Sequence, residues 1–324
     1  MDFSTVEHEN IQIPVPWGHI SGRWYGNRNR RPILALHGWM DNLGTWDLLI
    51  PHLPKHIGIL AIDFPGHGQS SHLPQGMQYH VIDYVTAVMH IIKEYNWKKV
   101  SLMGHSMGSV VVYLYAALYP STVDLIVNFD YVKQEFWKTD LEIYFYERGF
   151  IERLNDMTEI TTNRSEPKSH EFKTLENMIY EGSGRSVDFE NCKYLLYRSI
   201  TKSQISPDKY YFSRDKRIKY CKPFITTYEL TLELNKRIKN IPYFVIKGLK
   251  SSLLNEDSSE VLKILRKNNP HFEYYEIDGT HHLHMNNAEE VCKYLNPFLN
   301  RHYPAELSSW SIDDNINVDT RSKL

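Results

Sequence analysis

The sequence is poor in cysteine, with only Cys192, Cys221 and Cys292 in a chain of 324 residues. None of them forms a C-x-x-C pair, and an odd number cannot be fully paired within one chain. This pattern argues against a fold that depends on disulfide bonds. We therefore expect free thiols and a reducing compartment.

The chain also lacks a large charge of either sign and a long apolar run. Its formal net charge is -2 and its pI is ≈ 6.8, which gives no reason to expect binding to nucleic acid or to a membrane surface. No stretch reaches the ~18 apolar residues that a membrane span needs, and the first residues lack the basic and apolar run of a signal peptide. The length and the 42% hydrophobic content suit one large domain, or a core with an inserted subdomain.

What the sequence does contain is a series of short apolar runs, each suited to a buried strand. These runs are 32–36, 57–62, 99–103, 123–129, 241–246 and 272–277. Segments of helical period separate them, including an expected amphipathic helix from Thr45 to Leu53. The alternation predicts an α/β fold with a mostly parallel sheet covered by helices on both faces. Ligands bind at the carboxyl ends of such strands, where His37, Asp63, Ser106 and Asp130 fall.

The middle of the chain has a different character, because it is charged, aromatic and mainly helical in period. It predicts a helical cap at 131–220, inserted into a core formed by 1–130 and 221–302, with a flexible tail at 303–324. Within the cap, the polar segment 156–167 indicates a loop. Large side chains of the cap either line a pocket over the core or only pack the cap against it; these are Trp137, Leu141, Tyr144, Phe145 and Phe150.

Residues 104–108 read Gly-His-Ser-Met-Gly and stand between an apolar strand and a run long enough for a packed helix. This turn, which we call the elbow, is so tight that its neighbours can have almost no side chain, and Gly104 and Gly108 meet that need. Ser106 is left pointing out above the sheet, and the helix that follows is the elbow helix. A serine hydroxyl is a poor nucleophile and needs an adjacent base. The histidines of the loop at 279–284 are the candidates. Without a paired carboxylate or cysteine motif they do not indicate a metal site, and we expect no metal.

Several motifs occur in the order that is typical of the α/β-hydrolase superfamily, which the chain therefore resembles. They are 36–42 (Leu-His-Gly-Trp-Met-Asp-Asn), 63–68 (Asp-Phe-Pro-Gly-His-Gly), the segment 104–108, and 281–285 (His-His-Leu-His-Met). More narrowly, 37–42 and the cap segment 210–219 resemble the serine hydrolase-like proteins, a group that includes the insect kraken proteins. The resemblance implies an α/β-hydrolase fold and a serine hydrolase that cleaves an ester, thioester or related acyl bond of a small molecule through an acyl-enzyme, without a cofactor.

The resemblance also implies roles for single residues. Ser106 would be the nucleophile. The first histidine of the last loop is catalytic in many hydrolases, which favours His281 as the base, with His282 as the alternative. The oxyanion hole would consist of the backbone N–H groups of Met107 and Trp39.

The acid is less clearly marked. Related hydrolases usually place an aspartate three residues after the glycine that ends the penultimate strand, and here Ser251 stands at that position. Asp130, at the end of the strand after the elbow helix, is the first candidate, and Asp257 and Glu256 are the alternatives. A chain with no functioning acid would suit a ligand-binding or receptor-like protein with weak or no turnover, which is the alternative function.

The chain ends in Ser322-Lys323-Leu324, which matches a peroxisomal targeting signal. A polar tail with no apolar periodicity precedes it and could present it to a receptor. We expect the peroxisomal import receptor as a partner and the peroxisome as the location, with the cytoplasm as the alternative.

Overall fold

The structure is a computed structural model that describes residues 4–26, 28, 30–133, 139–162, 165–221 and 227–303. Residues 304–324 of the predicted tail, including the segment predicted to be a targeting signal, lie outside these residues, whereas Tyr303, its first residue, is described and buried. Trp137 also lies outside the described residues, and the side chains of Leu141, Tyr144, Phe145 and Phe150 are likewise not described. The pocket-lining role predicted for these five residues stays a prediction. No helix in the described part of the chain is both long and apolar enough to cross a membrane.

The described elements alternate between strands and helices over most of the chain. The strands are β1 (His8–Val15), β2 (Gly18–Tyr25), β3 (Ile33–Leu36), β4 (Ile59–Ile62), β5 (Val100–His105), β6 (Val123–Phe129), β7 (Ile200–Lys202), β8 (Tyr210–Phe212), β9 (Tyr243–Gly248) and β10 (Phe272–Ile277). The helices are α1 (Val81–Glu94), α2 (Met107–Leu118), α3 (Thr139–Thr162), α4 (Phe172–Gly182), α5 (Cys192–Leu196), α6 (Tyr228–Arg237), α7 (Ser259–Asn268), α8 (Leu283–Asn286) and α9 (Ala288–His302).

Eight strands form one sheet in the order β1-β2-β4-β3-β5-β6-β9-β10. The strands from β4 to β10 in this order run parallel, whereas β1 and β2 pair antiparallel with each other and β2 pairs antiparallel with β4. The predicted fold class is thus confirmed. Because parallel strands end at the same edge of the sheet, the residues that follow β3, β5, β6 and β10 come together there.

Alternate side chains of the central strands enter two apolar layers. On β3, Leu34 and Leu36 pack into the layer that contains α1 and α2, while Ile33 and Ala35 pack into the layer that contains α9. All four residues are fully buried. A strand covered on both faces needs a continuous apolar run, which is why these strands could be found in the sequence.

Two local predictions were wrong. The segment Thr45 to Leu53 is not one helix but parts of two short 3-10 helices, Leu43–Trp46 and Ile50–His52. Pro51 lacks the N–H that a continuous helix would use and lies near the start of the second one. The loop predicted at 156–167 is helical as far as Thr162, where α3 ends.

Between β6 and β9 the chain leaves the large sheet. This stretch contains α3 to α6, the small antiparallel hairpin of β7 and β8, and a 3-10 helix at Lys216–Tyr220. The hairpin was not predicted, because its strands have three residues each and are only partly buried. Periodicity cannot identify a strand that short.

Candidate active site

Ser106 lies in the sharp turn between the end of β5 and the start of α2. Its φ of 53° and ψ of -118° are unusual for a residue with a side chain. A residue with a side chain would clash with the backbone at either flanking glycine. A Cβ on Gly108 would lie 2.1 Å from the carbonyl oxygen of Leu36, and one on Gly104 would lie 2.6 Å from the backbone of Gly108. The turn therefore depends on glycine at both positions.

Replacing Gly108 by alanine should lower the free energy of unfolding by roughly 2–4 kcal/mol, because the backbone of β3 cannot move away from the added methyl group. Gly149 is a matched control, since it lies inside α3 and, apart from the backbone of its own helical turns, no described atom lies within 4 Å of an added Cβ. Gly149→Ala should raise the same free energy by roughly 0.5–1 kcal/mol. Denaturant unfolding measures both values, and equal effects of the two substitutions would contradict the argument.

His281 and Asp130 are in contact although 151 positions separate them in the sequence. The Nδ1–H of His281 donates to Oδ2 of Asp130 at 2.6 Å, and the backbone N–H of Gly248 donates to Oδ1 at 3.0 Å. Asp130 follows β6, is fully buried and has a φ of 56°. Because Nδ1 of His281 carries the hydrogen in this pair, Nε2 of the neutral ring can accept a proton.

The hydroxyl of Ser106 makes no hydrogen bond with either candidate histidine, or with any other group in the described part of the chain; the residue bonds only through its backbone, whose N–H donates to the carbonyl of Phe129 at 3.3 Å and whose carbonyl accepts from the N–H of Val110 at 3.2 Å. Catalytic hydrogen bonds are often formed only when substrate is present. What the structure supplies is a nucleophile position at one strand end and a histidine–carboxylate pair at the same edge of the sheet.

His282, the alternative base, has both ring nitrogens engaged. Its Nε2–H donates to Oδ2 of Asp41 at 3.3 Å, and its Nδ1 pairs with the hydroxyl of Ser186. The ring is buried. Since both nitrogens already have partners, His282 joins the loop after β3 to the cap, and it is poorly placed to exchange a proton with a substrate.

The alternative acids lie elsewhere. Glu256 and Asp257 are exposed on a 3-10 helix, and neither contacts a histidine within the residues that the structure describes. Ser251, at the usual acid position, follows β9 in a turn in which its N–H donates to the carbonyl of Gly248 at 3.0 Å. The acid positions proposed after β9 are therefore not the ones that reach a histidine.

Four histidine rings, those of His105, His281, His282 and His284, lie close together behind the elbow. Burial lowers the pKa of His105 to about 3 and holds that of His284 well below its usual range. Burial alone would raise the pKa of Asp41, but the nearby His282 and His105 hold it well below its usual range. The cluster thus contains two neutral histidines, His105 and His284, close to one carboxylate.

This cluster includes donors that could hold a metal ion. Ligand atoms of Asp41, His105 and His282 lie within 4.8 Å of one another. The sequence argument against a metal rested on the lack of a paired carboxylate, and Asp41, distant along the chain, supplies one. In the structure the three side chains already interact, with Nδ1 of His105 at 3.6 Å from Oδ2 of Asp41. The expected absence of a metal stays a prediction.

The two predicted oxyanion donors lie at the start of α2 and in the loop after β3. The loop is held by histidines: Nε2 of His37 accepts from the N–H of Phe64 at 2.9 Å, and Nε2 of His67 accepts from the N–H of Met40 at 3.3 Å. In the described part of the chain, neither the N–H of Trp39 nor that of Met107 donates to another protein group. Both N–H groups are therefore available to a ligand.

A buried ion pair, not foreseen from the sequence, joins the cap to the same edge of the sheet. Arg198, in the loop after α5, donates to Oδ2 of Asp63 at 2.7 Å, and both side chains are almost fully buried. The other oxygen of Asp63 accepts from the N–H of Leu43 at 2.9 Å. The sequence predicts that Asp63 lies at a strand end. It does not identify Arg198 as the partner, because the two residues are 135 positions apart.

Comparisons with known proteins agree with this description. Residues 31–138 match a family described as the alpha/beta hydrolase fold. The chain is 34% identical to a probable serine hydrolase of Drosophila melanogaster, over 90% of this chain and 87% of the relative, and 30% identical to a serine hydrolase-like protein of Danio rerio, over 93% and 91%. The crystal structure of a hypothetical protein of Pseudomonas aeruginosa PAO1 superimposes with a TM-score of 0.77 at 25% identity, covering 90% of this chain and 100% of that one.

Proposed function

Because this chain belongs to the serine hydrolase-like proteins of the α/β-hydrolase fold, we propose that it cleaves an ester, thioester or related acyl bond of a small molecule through an acyl-enzyme. The observation that carries the proposal is the 2.6 Å hydrogen bond between His281 and a buried carboxylate, at the sheet edge where Ser106 lies. An imidazole oriented by a carboxylate is the base that a serine nucleophile requires.

In the proposed mechanism, Nε2 of His281 takes the proton of the Ser106 hydroxyl while Oγ attacks the acyl carbon. Asp130 fixes the ring through Nδ1–H and stabilises the imidazolium that forms. The N–H groups of Trp39 and Met107 bind the developing oxyanion. The imidazolium then protonates the leaving alcohol or thiol as its bond to carbon breaks. Water, activated by the same histidine, releases the acid and restores the hydroxyl.

The receptor-like alternative depended on the lack of a suitable carboxylate, since Ser251 stands where the acid is usual. The contact between Asp130 and His281 supports the hydrolase instead. Both functions would use the same site, so only turnover separates them.

The proposal is tested by covalent labelling. A fluorophosphonate reacts with a serine only when an adjacent base activates it, so we expect a single adduct on the peptide that contains Ser106, located by mass spectrometry. Heat-unfolded protein is the control and should not react. An adduct on another residue, or no adduct on protein shown to be folded by circular dichroism, would overturn the proposal.

A further inference from the structure

The cap segment 213–220 lies against the loop that carries the proposed oxyanion donor Trp39. The indole N–H of Trp39 donates to the carbonyl of Ile218 at 2.8 Å, and the N–H of Asp215 donates to the carbonyl of Gly66 at 2.9 Å. These two contacts hold the segment beside the carboxyl ends of β3 and β4. This part of the cap is therefore in direct contact with the loop that carries the proposed oxyanion donor.

Two charged residues of the segment, Asp215 and Arg217, form hydrogen bonds that hold it in this position. The guanidinium of Arg217 donates to Asp215, and also to the backbone carbonyls of Leu73, Pro74 and Met77. Asp215 accepts a further hydrogen bond from the hydroxyl of Tyr79 at 2.9 Å. This network is structural, since all three guanidinium nitrogens of Arg217 donate to groups within the protein.

Arg214 differs from Arg217, because it forms no hydrogen bond or ion pair with any residue that the structure describes. Its side chain is half-buried, and its guanidinium carbon lies 4.1 Å from the centre of the Phe212 ring. Burial lowers the pKa of Arg214 to about 10, against the opposing charge of Asp41, so the group stays charged at neutral pH. A partly buried cation without a counterion is costly unless a ligand supplies the counterion.

The electrostatic influence of Arg214 reaches the oxyanion loop. Asp41, two residues after Trp39, is the charge that acts on it. Burial is the main cause that holds the pKa of His67 well below its usual range, and the charges of His37 and Arg214 add to the effect. His67 in turn contacts the loop at the N–H of Met40. Arg214 thus lies on the oxyanion-loop side of the site.

We propose that Arg214 binds an anionic group of the substrate, a carboxylate or a phosphate, that lies apart from the bond that is cleaved. The enzyme would then select anionic acyl esters or thioesters. This inference rests on the proposed hydrolase function and adds the substrate class to it. Stacking on Phe212 fixes the plane of the guanidinium, and its edge N–H groups match the two oxygens of a carboxylate or phosphate. A neutral ester would leave the cation without a partner.

The test compares mono-4-nitrophenyl adipate, a half ester, with methyl 4-nitrophenyl adipate, a diester in which a neutral methyl ester replaces the free carboxylate. Nitrophenolate release reports the same bond in both. We expect kcat/KM to be about 10- to 100-fold higher for the half ester, the usual effect of a charge-assisted pair. In Arg214→Gln the preference should disappear while turnover of the diester is kept, and Arg214→Lys should keep part of it.

Lys216→Gln is the matched control. Lys216 carries the same charge two positions away, but it is exposed and pairs with Glu159 at 3.2 Å. Its removal should leave the preference unchanged, because exposed charges are screened by solvent. An equal loss of the preference in both variants would mean that the overall positive charge, and not Arg214, causes it, which would overturn the inference. A wild-type protein without any preference would overturn it as well.

Two further measurements separate the source of the anion and the two proposals. Competitive inhibition by adenosine 3′,5′-bisphosphate that is lost in Arg214→Gln would indicate a phosphate on the leaving group, whereas preference for the half ester without inhibition would indicate a carboxylate on the acyl group. Calorimetric binding of adipate tests Arg214 without turnover, with a Kd that rises about 10-fold or more in Arg214→Gln. If no ester is cleaved and Ser106 is not labelled, the hydrolase function fails; if neutral esters are cleaved and adipate binds equally to both proteins, only the Arg214 inference fails.

Discussion

Replacing Ser106 by alanine is expected to reduce kcat for ester hydrolysis by about 10⁴-fold or more, which is the usual loss when a serine nucleophile is removed. The oxyanion donors are backbone groups and stay in place, so binding should change little and KM should stay within a few-fold. The loss should therefore appear in kcat and in the burst of nitrophenolate from the first turnover. Stopped-flow measurement with 4-nitrophenyl acyl esters records both.

Ser251→Ala is the control for this experiment. Ser251 stands where the acid of related hydrolases is usual, and its hydroxyl accepts a long hydrogen bond of 3.3 Å from the N–H of Leu253. We expect it to keep the activity of the wild-type protein. If Ser106→Ala retained more than a tenth of the activity, another nucleophile would be acting, and the elbow would have only a binding role.

Replacing Asp130 by asparagine is expected to reduce kcat by roughly 10³- to 10⁴-fold. The amide has nearly the same shape, and its oxygen can still accept from Gly248. It cannot stabilise the imidazolium of His281 by charge, and an amide N–H facing Nδ1 would favour the wrong tautomer. The fold should persist because the buried position stays filled, which thermal unfolding would verify.

Asp257→Asn and Glu256→Gln are matched controls, because both remove a carboxylate from the exposed 3-10 helix after β9. Neither should change kcat by more than about twofold, in keeping with the small effects of surface substitutions. A large loss of kcat in either variant, together with a mild effect of Asp130→Asn, would mean that the catalytic acid lies on that 3-10 helix. The loop after β9 would then have to adopt a different conformation during catalysis.

The sequence was informative where local chemistry decides the structure. The glycines beside Ser106 identified the elbow, because a turn of that kind tolerates no side chain, and the apolar run of β3 identified a strand buried on both faces. The segment 45–53 misled, because its apolar spacing suits a helix while Pro51 does not. Periodicity carries no information about which of the two effects is the stronger.

The acid could not be chosen from the sequence, because its choice depends on contacts between distant segments. Asp130, Glu256 and Asp257 are equivalent as carboxylates near strand ends. Only the pairing of β6 with β9 places the first of them beside Gly248 and His281. In the same way, the engagement of His282 by Asp41 spans 241 positions and is visible only in three dimensions.

The ion pair between Asp63 and Arg198 bears on how this protein can be divided. A replacement for the segment 131–220 that covered Asp63 without a cation would bury this carboxylate and lose the guanidinium that neutralises it. Leaving such a charge alone inside a protein costs about 3–5 kcal/mol, a large part of the stability of an ordinary domain. The inserted segment is therefore not a module that could be exchanged freely between relatives, because a replacement must bring its own cation to the same point.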